Sequence, residues 1–410
     1  MSVLASSGVT IEQVGGSITA PDGFRAAGVS CGLKKAEALD LALIVADGLA
    51  TAAGVFTTNK AQAAPVLVSR EHLTGSSGRA AAILVNSGCA NACTGPEGVA
   101  VARSTADFVA SMMGCAPNQV LVASTGVIGV QLDGAKIRHG AAIAMRSLAR
   151  SSHHEAARAI MTTDPAPKES AVRVTTPQGV FHVGGMAKGA GMIEPHLATM
   201  LAFVTTDAMV RPDTLQRALA DAVEVTFNAI TVDGDTSTND SVFLLAGGAS
   251  KVPIEDALYP ALVAGLREVC GTLARAIVRG GEGATKLISI TVTGAQSAAE
   301  AKKAAQVVAT SLLVKTAIHG GDPNWGRLVA AAGRAGVSFD ISRAAVRIGP
   351  VVLFSGGVPF DERALEAAAY LKGSDIEIEI DLGAGGAHAA TYWTCDLSAE
   401  YVKINAEYRT

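Results

Sequence analysis

Short apolar segments, each closed by a glycine turn, recur in the first ninety residues and constrain the fold more than any other feature. Three of them are "LDLALIVADG" at 39–48, "AAGVFTTN" at 52–59 and "AAILVNSG" at 81–88. They predict β-strands that end in tight turns at signals such as Asp47-Gly48 and Ser87-Gly88. Because helical patterns alternate with strands and hairpins further along, we predict a mixed α/β fold with layered sheets and helices.

Apolar periodicity locates the later elements. A helical pattern at 97–113 stops at Gly114, and "RVTTPQGVFHVGG" at 173–185 has the tip of a hairpin at Pro177-Gln178-Gly179. The same reasoning predicts strands at 119–129, 199–206, 241–248 and 287–295, and helices at 134–161, 212–230, 255–279, 297–311 and 361–372.

Composition limits the classes of protein that this chain can belong to. Its 410 residues are 49% hydrophobic but only 4% aromatic, so the core must consist mainly of Ala, Val, Leu and Ile. That length predicts two or three domains. The formal net charge is −4 and no long basic run occurs, so we expect a small-molecule substrate and no nucleic acid partner.

The sequence predicts a cytoplasmic protein. Charges or glycines cut every apolar run well short of the roughly 18 to 20 residues that a membrane helix needs. The N-terminus has no Lys or Arg before Arg25 and does not resemble a secretory signal. Six scattered cysteines are typical of reduced thiols rather than of a disulfide framework.

Several motifs resemble functional sites but lack the context that those sites require. "GVSCG" at 28–32 matches a nucleophile elbow around Ser30, yet no apolar strand precedes it. "GGEGATK" lacks the spacing of a phosphate-binding loop. Cys89 and Cys93 have no second Cys/His pair nearby, so we predict no metal site.

Thr199 lies at the boundary between a polar, glycine-broken segment and an apolar strand, in "KGAGMIEPHLATMLAFVTTDA". A hydroxyl is a poor nucleophile unless a base lies within hydrogen-bond reach. An N-terminal threonine carries its own base, because an α-amino group has a pKa near about 7.7 to 8.0. Cleavage between Ala198 and Thr199, by attack of the hydroxyl on the preceding carbonyl, would create that base. The alternative is a threonine that merely begins a strand.

Three other features could serve the same chemistry. One is "IMTTD" at 160–164, which closes a helix with consecutive hydroxyls and a carboxylate. In "ASTGVIG", Thr125 and Gly126 end a strand, where a hydroxyl and a backbone N–H could form an oxyanion hole, although an ordinary turn is the alternative. Lys188 stands isolated among glycine and alanine. It is either a solvated lysine or a cation that faces a substrate carboxylate.

Seven motifs, in order and over nearly the whole chain, resemble the ornithine acetyltransferase family of arginine biosynthesis: "NSGCANACTG", "ASTGVIG", "AIMTTD", "GMAKGAGMIEPHLATML", "DGDTSTND", "GEGATK" and "LVKTAIHGGDPNWGR". The resemblance implies self-cleavage before Thr199 into an α chain of 1–198 and a β chain of 199–410. It also implies transfer of acetyl from N-acetylornithine to glutamate through an acetyl-threonine, without a cofactor or metal. Some members of the family use acetyl-CoA as a co-substrate.

The resemblance also implies roles for individual residues. Thr199 would be the nucleophile, and Thr125 and Gly126 would stabilise the oxyanion. The residues implied to bind substrate are Thr162, Lys188, Thr199, Glu282, Asn405 and Thr410. Glu282 suits the cationic side chain of ornithine but would repel the side-chain carboxylate of glutamate. The loop 322–327 belongs to the family pattern, and we expect it near the cleft or the chain interface.

The implied fold is an αββα sandwich similar to that of N-terminal nucleophile enzymes, with its own topology, and a smaller C-terminal α/β domain. Residues 1–198 and 199–286 would form the sandwich, and 287–410 the second domain, whose tail returns to the active site. The α and β chains would pair, and two pairs would form a heterotetramer.

Two rival functions remain open on the sequence. An amidase or aminopeptidase could use the same threonine nucleophile, with water rather than an amine resolving the acyl-enzyme. A non-catalytic amino-acid-binding regulator would leave the chain uncut, with Thr199 as the start of a strand.

Overall fold

The computed structural model describes residues 8–35, 38–194 and 200–407 and has two β-sheets. In these residues the first sheet has nine strands, of which eight follow the order β1-β6-β7-β8-β9-β3-β4-β5 while β2 pairs with β3. Its strands are β1 Thr10–Gln13, β2 Phe24–Val29, β3 Leu41–Phe56, β4 Arg79–Cys89, β5 Val120–Val127, β6 Lys168–Thr176, β7 Gly179–Lys188, β8 Leu201–Thr206 and β9 Ser241–Ala246.

The helices associated with this sheet are α1 Ala64–Gly75, α2 Gly95–Met113, α3 Gly134–Arg146, α4 His153–Ala159, α5 Pro212–Val223 and α6 Tyr259–Arg279. The predicted stop of α2 at Gly114 is confirmed, since that residue has φ 70° and donates its N–H to Ala110. The predicted helix at 134–161 is wrong as a single element, because α3 ends at Arg146 and α4 begins only at His153.

β3 corrects the prediction of two strands joined by a turn at Asp47-Gly48, and the predicted turn at Ser87-Gly88 is also wrong, because β4 continues through it to Cys89. β3 is one strand of 16 residues, and its register with β4 shifts between Val45 and Ala50. Residues 41–46 pair with β2 and residues 51–56 pair with β9. The exposed Asp47-Gly48-Leu49 segment is therefore a bulge that bends the strand, so that β3 belongs to both halves of the sheet.

The bent sheet forms two layers with helices outside each, which is the αββα arrangement, while α4 packs into the core between the layers. One side of β4, β8 and β9 contributes Ile83, Phe203 and Phe243 to a core between the layers. The opposite side of β4 packs with α1, α2 and α3, and the opposite sides of β8 and β9 pack with α5 and α6. Alternate side chains along each strand therefore fill different cores. The mixed α/β class is confirmed.

The second sheet begins at Leu287, and in the described residues it has the order β13-β12-β11-β14-β10-β15. Its strands are β10 Leu287–Ala295, β11 Ala345–Ile348, β12 Val351–Ser355, β13 Val358–Pro359, β14 Asp375–Asp381 and β15 His388–Cys395. The helices of this region are α7 Ala298–Ala309, α8 Leu312–His319, α9 Trp325–Gly333, α10 Ala364–Tyr370 and α11 Ala399–Glu407. Side chains of α7, α8 and α9 cover one of its faces with a separate core.

None of the helices in the described residues combines the length and the hydropathy that crossing a membrane requires.

Candidate active site

A cavity of about 260 Å³ lies where the ends of β5 and β7 meet the segment before β9 and the C-terminal helix α11. Six of the residues predicted for the site line it: Thr125, Gly126, Thr162, Lys188, Glu282 and Asn405. The other three, Ala198, Thr199 and Thr410, lie outside the described residues.

Strand register brings the start of β8 to this cavity. Leu201 is opposite Lys188 of β7 and beside Ser241 of β9. The N–H of Met200 donates to Asp240 Oδ1 at 3.0 Å, and the Met200 carbonyl accepts from Ser241 N–H at 3.2 Å. The first described residue after the predicted cleavage site therefore lies between two strand ends that border the cavity.

Thr125 and Gly126 end β5 against the end of β4. Thr125 is opposite Ser87 and Gly126 is opposite Gly88, and the threonine is only 5% exposed. Gly126 has φ +130°, and a Cβ at this position would lie 2.4 Å from the Gly88 carbonyl carbon. Only glycine satisfies both the backbone angle and the close approach of the two strands.

We expect Gly126→Ala to destabilise the protein by more than about 2 kcal/mol, because it combines an unfavourable φ with a backbone clash. Acetyl transfer should fall with it. Gly129→Ala is the matched control, since Gly129 has φ +80° but no atom within 4 Å of a Cβ built there. Chemical unfolding of both variants checks the difference, and equal losses would contradict the close contact at Gly126.

Lys188 is buried at 4% exposure, so the interpretation as a solvated lysine is wrong. Its side chain lines the cavity, and its ammonium group makes no hydrogen bond to another described residue. Burial lowers the pKa of Lys188, while the carboxylates of Asp164, Asp240 and Glu282 act in the opposite direction. A buried cation with free donors is the arrangement that an anionic ligand group can satisfy.

Three hydrogen bonds hold Glu282 in place. Its Oε1 accepts from the Thr163 hydroxyl at 2.7 Å and its Oε2 from the Asn405 amide at 3.0 Å. Its backbone N–H donates to the Ala190 carbonyl at 2.8 Å. A Cβ at position 191 would lie 2.4 Å from Oε2, so Gly191 provides the space for this carboxylate.

Ten further residues of the cavity were missed by sequence reasoning as site residues, and four of them with polar side chains are Asp233, Asp235, Asn239 and Tyr401. Asp233 accepts from the N–H groups of Met192 and Ile193 and, at 3.3 Å, from the Tyr401 hydroxyl. Burial raises the pKa of Asp233, and these backbone donors oppose the rise. The motif "DGDTSTND" could have indicated three of the four, because it belongs to the family pattern.

The remaining motifs lie elsewhere. Trp325 stacks on Phe354 with ring centroids 5.1 Å apart and donates its indole N–H to Asp361, so the loop 322–327 packs on the second sheet and does not line the cavity. Cys89 donates to the Val130 carbonyl, and the described residues contain no group of His, Cys, Asp and Glu that could hold a metal ion. Ser30 is also absent from the residues that line the cavity, although the expectation that no apolar strand precedes it is wrong, since β2 ends at Val29.

A larger cavity of about 710 Å³ contains none of the predicted residues. It is lined by the exposed side chains of Leu49 and Met209 and by residues such as Arg79, Pro212 and Glu255. The smaller cavity is therefore the better candidate for the site.

Comparison with known proteins identifies relatives along nearly the full chain. Residues 25–410 match the model of the ArgJ family. The "Arginine biosynthesis bifunctional protein ArgJ" of Gloeobacter violaceus is 50% identical over 406 residues, which cover 97% of this chain and 99% of that protein. The protein of the same name from Dehalococcoides mccartyi is 48% identical over 402 residues, which cover 96% and 98%.

Two solved structures are also similar. The crystal structure of ArgJ from Bacillus halodurans is 42% identical and covers 50% of this chain and 98% of that chain, with a TM-score of 0.49. The ornithine acetyltransferase of Mycobacterium tuberculosis, solved in complex with ornithine, is 42% identical and covers 45% and 98%, with a TM-score of 0.42. On the family model and the full-length relatives, this chain belongs to the ArgJ family of arginine biosynthesis.

Proposed function

We propose that this protein is an acetyltransferase that moves acetyl from N2-acetyl-L-ornithine to L-glutamate through an acetyl-Thr199 intermediate. The proposal rests on one observation: six predicted residues from separate stretches of the chain line a single cavity beside Met200. The names of the full-length relatives, arginine biosynthesis bifunctional proteins, agree with it.

Maturation creates the nucleophile. The Thr199 hydroxyl attacks the Ala198 carbonyl carbon, the C–N bond breaks, and the hydroxyl proton goes to the departing nitrogen. The product is an ester with a free α-amine on Thr199. Water then hydrolyses the ester and leaves an Ala198 carboxylate and a free Thr199 hydroxyl, with the α-amine as its base.

Acetyl transfer uses the same hydroxyl twice. Thr199 attacks the acetyl carbonyl of N-acetylornithine, ornithine leaves with a proton from the α-ammonium, and the amine of glutamate then attacks the acetyl ester. The Thr125 hydroxyl and the Gly126 N–H stabilise the oxyanion of both tetrahedral intermediates. Their placement in β5, paired with β4, suits that role, because preorganised donors need no rearrangement during the reaction.

Charges in the cavity match the two amino acids. The buried ammonium of Lys188 binds the α-carboxylate that both substrates carry. Glu282, Asp233 and Asp235 attract the side-chain ammonium of ornithine. The same carboxylates repel the side-chain carboxylate of glutamate, which must therefore point away from this side of the cavity.

We also propose acetyl-CoA as a second acetyl donor, of which only the acetyl end enters the cavity. A cavity of about 260 Å³ is far too small for the nucleotide part of that molecule. We also propose that α and β chains pair and that two pairs form a heterotetramer. Light scattering of the mature protein tests the assembly, and consumption of acetyl-CoA with glutamate present tests the second donor.

The decisive test of transfer is incubation with N-acetylornithine, with and without glutamate. A transferase releases about one equivalent of ornithine per active site without acceptor and continues only when glutamate is added. Continuous release without glutamate would show an amidase instead. Binding without any release would favour a regulator.

The C-terminal helix gives a separate prediction. Asn405→Ala removes the amide that holds Glu282 Oε2. We expect the KM for N-acetylornithine to rise by about fivefold to tenfold. A hydrogen bond to a charged group contributes about 1.5 kcal/mol, and the loss is slightly smaller at Glu282 because Thr163 still holds its other oxygen. Steady-state kinetics check this, and an unchanged KM in both this variant and a chain lacking residues 405–410 would count against a role for the tail.

A further inference from the structure

A buried aspartate outside the predicted site connects two of its members. The side chain of Asp164 is 0% exposed. Its Oδ2 accepts from the backbone N–H of Thr162 at 3.0 Å, and its Oδ1 accepts from Gly189 N–H at 2.7 Å and from the Lys168 ammonium. One carboxylate therefore holds the backbone at Thr162 and the residue that follows Lys188.

The same carboxylate acts on Lys188 through charge and not through a hydrogen bond. Its oxygens bind other donors, and the Lys188 ammonium has no hydrogen bond to a described residue. A direct ion pair would occupy the donors that a ligand carboxylate needs. A nearby carboxylate that already accepts three hydrogen bonds from other groups keeps the ammonium charged without occupying its donors.

We propose that Asp164 is a positioning residue of the acetyl-transfer site, which keeps Lys188 charged, with its donors directed to the carboxylate of an amino-acid substrate. The inference rests on the proposed function, since it assigns how the substrate carboxylate is held there. Asp164 itself does not line the cavity described above.

The electrostatics around the pair agree with this role. Burial would raise the pKa of Asp164, but the Lys188 and Lys168 ammonium groups outweigh it and lower that pKa to about 2. Burial lowers the pKa of Lys188, and Asp164 is the strongest influence in the opposite direction. Asp240 and Glu282 also favour the charged form of Lys188, and Lys168 disfavours it. Lys34 lies near enough for Lys188 and Asp164 to influence its pKa.

These charges predict pH shifts of opposite sign. Binding of a carboxylate requires charged Lys188, so affinity falls as the pH rises through the pKa of that ammonium. Asp164→Asn removes the favourable charge and should move this midpoint to lower pH by about one unit or more. Lys168→Met removes a like charge and should move the midpoint to higher pH.

The measurement is the dissociation constant of N-acetylornithine as a function of pH. At each pH it is obtained from how the rate of acetyl-enzyme formation in a single turnover depends on substrate concentration. The same substrate is used for every variant, so its own titration cancels. Asp207→Asn is the matched control, because Asp207 is also buried and accepts backbone N–H groups, but at the opposite end of β8. Its midpoint should equal that of the unaltered protein.

Asp164→Asn leaves the Lys168 ammonium buried without its partner and could prevent folding. The double variant Asp164→Asn with Lys168→Met avoids that unpaired charge and should show a smaller shift to lower pH, because Asp164 acts on Lys188 more strongly than Lys168 does. Lys168→Met alone still tests the opposite shift. Equal midpoints in every variant that folds would overturn the inference. If the unaltered protein forms no acetyl-enzyme, the proposed function fails instead, which is a distinguishable result.

Discussion

Thr199→Ala is expected to leave the protein as one chain of 41.4 kDa and to reduce acetyl transfer below detection. Without the hydroxyl there is no attack on the Ala198 carbonyl, so the free α-amine is never formed. The variant loses the nucleophile and its base together, and other residues cannot supply either one. Denaturing gel electrophoresis and an assay for ornithine release measure the two effects.

Thr199→Ser is the matched control for this variant. Serine keeps the hydroxyl and should still give two fragments, with slower cleavage or turnover. If the alanine variant were cut, or if it remained uncut and fully active, the nucleophile would have to be another residue.

Lys188→Met is expected to raise the KM for both N-acetylornithine and glutamate and to lower kcat/KM about a hundredfold or more. Methionine keeps most of the side-chain volume but removes the buried cation, and the lost partner of a desolvated charge costs about 2–5 kcal/mol. Steady-state kinetics with each substrate check this prediction.

The control for this loss is Lys315→Met. Lys315 is also buried, at 2% exposure, but its ammonium donates to the Thr394 hydroxyl and to the Cys395 carbonyl in the second sheet. That variant should lose stability and keep its KM. An unchanged KM in Lys188→Met would show that another group binds the carboxylate.

Sequence reasoning located strand ends well, because glycine and small residues mark them. Thr125 and Gly126 were found in this way and Lys188 by its isolation among glycine and alanine, and all three line one cavity. Thr162, Glu282 and Asn405 came only from the resemblance to the family. Their approach depends on contacts such as Asn405–Glu282, which join residues 123 positions apart and leave no local pattern.

Tertiary pairing decided the features that the sequence did not indicate. Asp47-Gly48 is a common turn signal, but β2, β4 and β9 pair with the residues on either side of it and so keep it within the single strand β3. Asp240 and Met200 meet only because β8 and β9 are parallel neighbours with a fixed register. Short elements such as α8 and α9 were missed, since eight or nine residues carry too little periodicity.

The proposed function requires that Thr199 becomes the N-terminal residue of a second chain and carries the acetyl group. Mass spectrometry of the purified protein, incubated with N-acetylornithine and no acceptor, tests it most directly. We expect a fragment of residues 199–410 that is one acetyl group heavier at its first residue and that loses this group when glutamate is added. An intact active chain, or an acetyl group on a different residue, would contradict it.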